Sequence, residues 1–337
     1  MGIGKGIKVV YFTRKQRQLG NFSVEIYFKQ VRQNLPEPFF GVLCDMPYES
    51  NGFFKRLANA IYCIFKQGDI NHITGDIHYV ATFLKKRRTI LTILDCGMLH
   101  GNKGIKHTIY KLFWFTIPVK RASVITAISE ATKQDIIRFT NCDEKKVHVI
   151  YVCINQSFHR SDKEFNSSKP RILQIGTAQN KNLQRLVPAL KDIPCTLVVV
   201  GKMNSDLLEI MIHNYINYEM IDRKLSDEEI LNEYRKCDIV SFVSTMEGFG
   251  MPIVEGNTVG RVVITGNNTS MPEVAANAAH LADPYSVDSM RQGFEKIISD
   301  EAYRNTLIIN GYENCRRFLP KTIAVQFSSI YKVVGKN

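Results

Sequence analysis

The sequence predicts an α/β protein built as two doubly wound parallel-sheet domains facing a shared cleft, and three observations lead there. At 337 residues the chain exceeds the usual size of one hydrophobic core, so two domains of roughly 150 residues each are expected. Short β-branched runs alternate with helical patterns in both halves, which implies parallel sheets with helices on both faces. Between the two series the stretch Ser161-Asp162-Lys163-Glu164-Phe165-Asn166-Ser167-Ser168-Lys169-Pro170 has no apolar period and reads as a linker within 155–170.

In the first half the strand-like runs are 7–13, 39–43, 70–74, 89–94 and 123–128. The turn after the first contains Gly20, Asn21, Phe22 and Ser23 and precedes a helix at 24–31, a setting in which small polar residues before a helix start can receive a phosphate. Ser129 suits the N-cap of a helix through Ala131, Asp135, Ile136 and Ile137, and 147–152 returns as a strand. Beyond the linker the strands are 171–175, 196–201, 238–243 and 261–265. Ser226 and Glu229 have the spacing of a capping box that opens a helix at 227–235, and 286–298 forms a further helix after Pro284. Ligands of such folds bind at the carboxyl ends of the strands.

Hydrophobic residues make up 45% and charged residues 23%, the balance of an ordinary globular protein. No apolar run approaches the ~18 residues of a membrane span, and the start MGIGKGIKVVYF lacks a cleavable signal pattern, so a cytoplasmic protein is expected. The eight cysteines are scattered without a C-x-x-C pair and read as reduced thiols. The net charge of +12 is uneven: residues 1–160 hold 24 Lys and Arg against 11 Asp and Glu, and the remainder holds 20 against 21. Such asymmetry points the first domain toward an anionic surface.

The stretch from Ser244 to Gly256 follows directly on a strand and carries the chemistry. Gly248 and Gly250 let backbone N–H groups approach a ligand closely, and Pro252 suits the first turn of a helix. The amides of Phe249, Gly250 and Met251 would then address an anion with help from the helix dipole. Glu247 before that site and Glu255 inside the helix would bracket a ligand with hydroxyls on both sides of a phosphate, as a nucleotide sugar has. A nicotinamide-dependent dehydrogenase would need G-x-G-x-x-G after the first strand, and residues 11–20 supply none.

With these residues in view, nearly the whole chain resembles glycosyltransferase family 4, the retaining enzymes of GT-B fold with two Rossmann-like domains. The likeness is carried by Ala127-Ile128-Ser129-Glu130 with the following helix, Lys146 to Tyr151, Ile175-Gly176-Thr177 with Lys181-Asn182-Leu183, Leu225 to Glu229, Glu247 to Glu255, and Ser270 to Val274 running to Ala282-Asp283-Pro284. The resemblance implies an acceptor-binding domain over 1–157, with a final helix in 320–337 returning to it, and a nucleotide-sugar domain over 170–319. It implies that Glu247 contacts the transferred sugar, Glu255 the ribose hydroxyls and Lys181 the donor diphosphate. Thr177, Leu225 and the segment Gly248, Phe249, Gly250, Met251 would complete the donor site. No metal is expected, because helix starts and basic side chains neutralise the departing diphosphate.

Two positions depart from the family pattern. Thr177 stands where many relatives carry an arginine, which leaves Lys181 without a basic companion from its loop. Leu94 replaces the histidine of the family's T-I-H-D strand end, and a leucine cannot hydrogen-bond a sugar hydroxyl. Asp95 survives as a catalytic candidate. Of His72, His78 and His100 near the same strand ends, His78 is the one expected to substitute, in the run His72 to Tyr79.

The expected reaction is retaining transfer from a UDP-, GDP- or ADP-sugar to a saccharide or lipid-linked saccharide acceptor, in O-antigen, capsule or exopolysaccharide assembly. Basic residues beside aromatic ones at 53–66, 85–88 and 103–120 suit peripheral attachment to an anionic membrane at its inner face, and no nucleic acid is expected as a partner. The competing reading is a catalytically weakened protein of the same fold that binds a membrane surface or an anionic ligand.

Overall fold

The structure, a computed structural model, describes residues 6–15, 23–101 and 104–335, without the side chain of Ser23. Among the described residues, twelve strands form two separate six-stranded sheets, parallel throughout. The first holds β1 (Ile7–Thr13), β2 (Phe39–Asp45), β3 (Ile70–Ile73), β4 (Thr89–Ile93), β5 (Val124–Ala127) and β6 (Val147–Val149), in the order β2-β1-β3-β4-β5-β6. The second holds β7 (Arg171–Ile175), β8 (Thr196–Val200), β9 (Tyr218–Ile221), β10 (Ile239–Phe242), β11 (Val262–Gly266) and β12 (His280–Ala282), in the order β12-β11-β10-β7-β8-β9. Strand order therefore reverses beside β1 in one sheet and between β7 and β10 in the other, the places where such sheets open a crevice at their carboxyl ends.

The chain divides into a unit of residues 1–155 with 319–337 and a unit of 156–318. In the first, alternate residues of β1 enter different cores, as the two-residue period of a strand requires. Val10 and Phe12 pack with Ile73, Leu91, Ile93 and Ile125. Val9 and Tyr11 pack with Tyr27, Phe28 and the helix Pro320–Gly335, which contributes Ile323, Ala324, Phe327, Tyr331 and Val334. His72 lies at the heart of that second core, with Nδ1 2.8 Å from the Tyr331 hydroxyl and Nε2 2.7 Å from Thr92 Oγ1. The Tyr331 hydroxyl in turn meets that of Tyr11 at 2.7 Å. A polar chain satisfied at each of these contacts is tolerated in an apolar interior and pins the register of the final helix. Burial alone holds His72 well below its ordinary range, to about 3, and keeps it neutral.

In the second unit, Ile172, Leu197, Val199, Ile239, Val262 and Ile264 meet side chains of the helices Leu183–Ala189, Val287–Ser299 and Glu301–Asn314. Ser226 and Glu229 form a capping box at the helix Asp227–Lys236, and the Ser129 side chain caps Glu130–Thr140. The segment 161–170 is not a free tether. Buried Asp238 accepts from the Lys163 ammonium and from the backbone N–H groups of Asn166 at 3.1 Å and Arg171 at 2.8 Å. The guanidinium of Arg261 donates to the Ser161 carbonyl at 2.8 Å. The stretch carries no helix or strand, and backbone and charge, rather than side-chain burial, fasten it to the second unit. Strands β9 and β12 also go beyond the sequence reading; both are short and lie at the edges of the sheet.

All eight cysteines are free thiols. Among the described residues no helix is long and apolar enough to cross a membrane.

Candidate active site

Two loops meet where the second sheet reverses. After β7 the chain runs through Gly176 and Thr177 to a single helical turn, Gln179–Lys181, and the helix Leu183–Ala189. After β10 it runs through Ser244 to Gly250 into the helix Met251–Val259, with Pro252 in the first turn. Gly250 at φ 121° adopts a conformation that side chains rarely take, and turns the chain into the helix. A helix start leaves amides without intrahelical partners, here at Gly250 and Met251 beyond the carboxyl end of β10. The Phe249 ring does not face outward: it is buried and stacks edge-on against Phe318 at 5.7 Å.

Lys181 and Glu247 are brought together by these loops. The Lys181 ammonium lies 2.7 Å from Glu247 Oε1 and 4.7 Å from the centre of the Phe242 ring. Gly176 at φ 90° makes room, since a Cβ there would stand 3.1 Å from Lys181 Cε. The half-buried pair neutralises itself, leaving a cation and an anion side by side beyond the carboxyl ends of β7 and β10.

Asn180, Asn182, Asn268 and Ser270 do not emerge from the sequence reading as site residues, yet they hold this geometry. Asn180 donates to Glu247 Oε1 at 3.2 Å and to the Met246 carbonyl at 3.0 Å, and its own carbonyl accepts from the Thr245 amide at 2.8 Å. Asn182, in left-handed backbone at φ 64°, donates to the carbonyls of Val243 and Pro284. Asn268 donates to the Thr245 carbonyl at 2.7 Å, and buried Ser270 Oγ lies within hydrogen-bonding reach of the carbonyls of Glu247 at 3.1 Å and Phe249 at 2.7 Å. Loops after β7, β11 and β12 thus clamp the loop after β10. The available signal was small polar side chains just beyond strand ends, which is too common to single them out.

Glu255 sits within the helix Met251–Val259, and the hydroxyl of wholly buried Tyr234 donates to its Oε2 at 2.5 Å. Desolvation lifts the Glu255 carboxyl to about 7; the Tyr234 hydrogen bond and the Lys181 charge oppose the rise, and Asp227 adds to it. Lys181 is therefore within electrostatic reach of both glutamates. Thr177 is turned elsewhere, its hydroxyl donating to the Lys202 carbonyl at 2.7 Å. Leu225 is buried along a groove of about 590 Å³ with Met220, Ile221, Asp222, Arg223 and Glu229, and neither Lys181 nor Glu247 lines that groove.

In the first unit, Asp95 is exposed after β4, and its Oδ1 accepts from the Gly97 amide at 2.9 Å. His78 is buried after β3, with Nδ1 2.9 Å from the Trp114 carbonyl and its ring edge-on to Phe115. Burial lowers His78 below the usual histidine range, while the Trp114 bond and the charges of Asp76 and Asp95 counteract it. His72 is removed from any site by its interior bonds, and His100 pairs with Asp135 at 2.6 Å. Gly20 and Asn21 lie outside the described residues, and Ser23 opens the helix Ser23–Gln33. No grouping of three or more His, Cys, Asp or Glu suited to a metal occurs among the described residues.

Residues 155–314 match the family model for Glycosyl transferases group 1. The serotype-specific mannosyltransferase WbdA of Escherichia coli is 26% identical over 222 residues, which cover 59% of this chain and 27% of that protein. The chain thus spans about a quarter of the length of the first curated relatives it matches. The O-antigen chain mannosyltransferase B of Escherichia coli is 25% identical over 270 residues, 72% of this chain and 68% of that one. The crystal structure of Anabaena Alr3699/HepE in complex with UDP and glucose aligns with a TM-score of 0.78 at 15% identity, over 97% of this chain and 99% of that one. This likeness establishes the fold as the two-domain α/β architecture of GT-B glycosyltransferases.

Proposed function

We propose that this protein is a hexosyltransferase of the family 4 type that moves a sugar, with retention, from a nucleoside diphosphate sugar to an acceptor hydroxyl. The observation that carries the reading is the Lys181–Glu247 pair at the strand reversal, set beside the helix start at Gly250 and Met251. In the proposed reaction the bond between the anomeric carbon and the diphosphate oxygen breaks with its electrons going to the phosphate. The acceptor oxygen attacks from the same face, and its proton passes to the departing phosphate oxygen. Charge growing on that leaving group is stabilised by Lys181 and by the amides, whose dipoles are fixed before reaction. To reach the phosphate Lys181 exchanges its partner, which frees Glu247 to accept from a sugar hydroxyl. Glu255 receives the ribose hydroxyls, and His78 and Asp95 are assigned to the acceptor side.

Matches to O-antigen mannosyltransferases and to a capsular polysaccharide glycosyltransferase support a place in envelope polysaccharide assembly. The proposed acceptor is a lipid-linked saccharide at the cytoplasmic face of an anionic membrane. The relatives' names favour a mannosyl donor, while the solved neighbour holds UDP and glucose. A thermal-shift screen with UDP, GDP, ADP and their sugars decides among them, since a ligand at 100 times its Kd stabilises by about 2.7 kcal/mol. Stabilisation by one nucleotide family together with glycosyl transfer is the expected result. No shift with any of them and no donor turnover would overturn the reading; binding without turnover would leave the weakened binding protein.

A further inference from the structure

The helix Phe53–Phe65 buries Asn59, Ala60 and Cys63, and a helix of this kind ordinarily turns polar residues outward. This one does not. Phe53 (72% exposed), Phe54 (83%) and Phe65 (81%) stand in solvent with Leu57, Ile61 and Ile64. At 3.6 residues per turn these six side chains fall within an arc of about 120°. A second exposed apolar row, Ile105, Ile109, Leu112 and Phe113, runs along the helical segment that begins with Ile105–Lys111. The two segments are neighbours in one unit, for the Arg56 guanidinium lies 4.6 Å from the Trp114 ring centre. Isolated exposed apolar residues need no explanation, but ten on two neighbouring segments of one unit mark an interaction surface.

The charge around the rows indicates what covers them. Residues 50–129, which include both segments, contain twelve Lys and Arg against three acids, Asp69, Asp76 and Asp95. The basic turn Lys86–Arg88 is tied to the end of the helix through Lys85, whose amide donates to Gln67 Oε1 at 2.9 Å. A second copy of this chain would present the same cations and be repelled, whereas an anionic bilayer offers phosphates to the basic groups and acyl chains to the apolar rows. We propose that the exposed faces of these two segments insert into the interfacial layer of an anionic membrane. The apolar side chains enter the acyl boundary, and the surrounding lysines and arginines rest against lipid headgroups. This deepens the membrane part of the reading above and is independent of the donor site.

The test is flotation of the full chain with vesicles of phosphatidylglycerol and phosphatidylethanolamine, and with phosphatidylcholine vesicles, at low and high salt. The wild type is expected to float with the anionic vesicles and to retain part of its binding at high salt, because insertion is not screened. The variant Phe53→Ser/Phe54→Ser/Phe65→Ser, altered only at exposed positions, should lose on the order of 100-fold in partitioning while keeping its circular dichroism and donor-induced thermal shift. Replacing Lys85, Lys86, Arg87 and Arg88 by Gln should remove mainly the salt-sensitive part. No flotation of the wild type, or unchanged flotation of the triple-serine variant, overturns the proposal. So does concentration-dependent dimerisation abolished by the triple-serine variant without vesicle binding, which would give the face to a second copy.

Discussion

Tyr234→Phe removes one hydroxyl from the interior of the second unit and asks whether Glu255 is tuned by its neighbour. The Tyr234 hydroxyl donates to Glu255 Oε2 at 2.5 Å, and burial has already lifted this carboxyl from 4.5 to about 7. A hydrogen bond to a charged group contributes about 1.5–3 kcal/mol, and 1.36 kcal/mol corresponds to one pH unit. Its loss should therefore move the ionisation of Glu255 upward by about one to two pH units. If the carboxylate form receives the ribose hydroxyls, donor affinity in the wild type rises with pH through about 7 and then levels. In the variant the same rise comes later. At pH 8 the wild-type group is about nine-tenths ionised and the variant's about half to one-tenth, so the donor KM should increase about two- to tenfold there and recover at higher pH. Donor KM and kcat measured from pH 6 to 10 provide the assay, with Glu255→Gln expected to flatten the KM profile. A KM raised by one constant factor at every pH, or not raised at all, would refute the reasoning.

Lys181→Ala should lower kcat by about 10- to 1000-fold, as expected for a group that stabilises leaving-group charge; Glu255→Ala should instead act chiefly on donor KM, and steady-state kinetics of both separate the roles. Asn180→Ala and Ser270→Ala each remove a clamp on the Glu247 loop without touching the reacting atoms, and should reduce kcat/KM while thermal unfolding shifts by only a few degrees. Glu255 also makes stability depend on pH: its folded carboxyl holds a proton more tightly than the unfolded one, so the stabilisation is full below 4.5 and is lost as pH rises through about 7. The loss is at most roughly 3 kcal/mol, and urea denaturation at pH 5 and pH 8 should show a fall that Glu255→Gln reduces. Asp238→Ala leaves the Lys163 ammonium and two amides without their shared acceptor, and should cost about 3–5 kcal/mol by the same denaturation measurement.

Period and punctuation were enough to read much of this protein from its residues. The alternation of β-branched runs with helical stretches reveals ten of the strands, because buried parallel strands and amphipathic helices each impose a local pattern. Ser129, Ser226 and Glu229 announce helix starts through bonds only three residues long. Gly250 and Pro252 likewise mark the turn into the helix that carries Glu255. The edge strands β9 and β12 stay hidden, since three or four residues with partly exposed faces carry little hydrophobic signal.

What only the tertiary structure decided is how distant residues meet. Strand order places the loop after β7 beside the loop after β10, and that adjacency sets Lys181 2.7 Å from Glu247 across 66 positions of chain. Tyr234 beneath Glu255, His72 enclosed by Tyr331 and Thr92, and Asp238 gathering the segment near Lys163 are likewise products of packing. The sequence supplies each group with its chemistry, but its ionisation and its partners depend on the dielectric and the neighbours that arise once the sheets have formed. The exposed arc of Phe53, Phe54 and Phe65 teaches the same point in reverse. Their apolar character is plain from composition, and only the fold shows that the core leaves them outside.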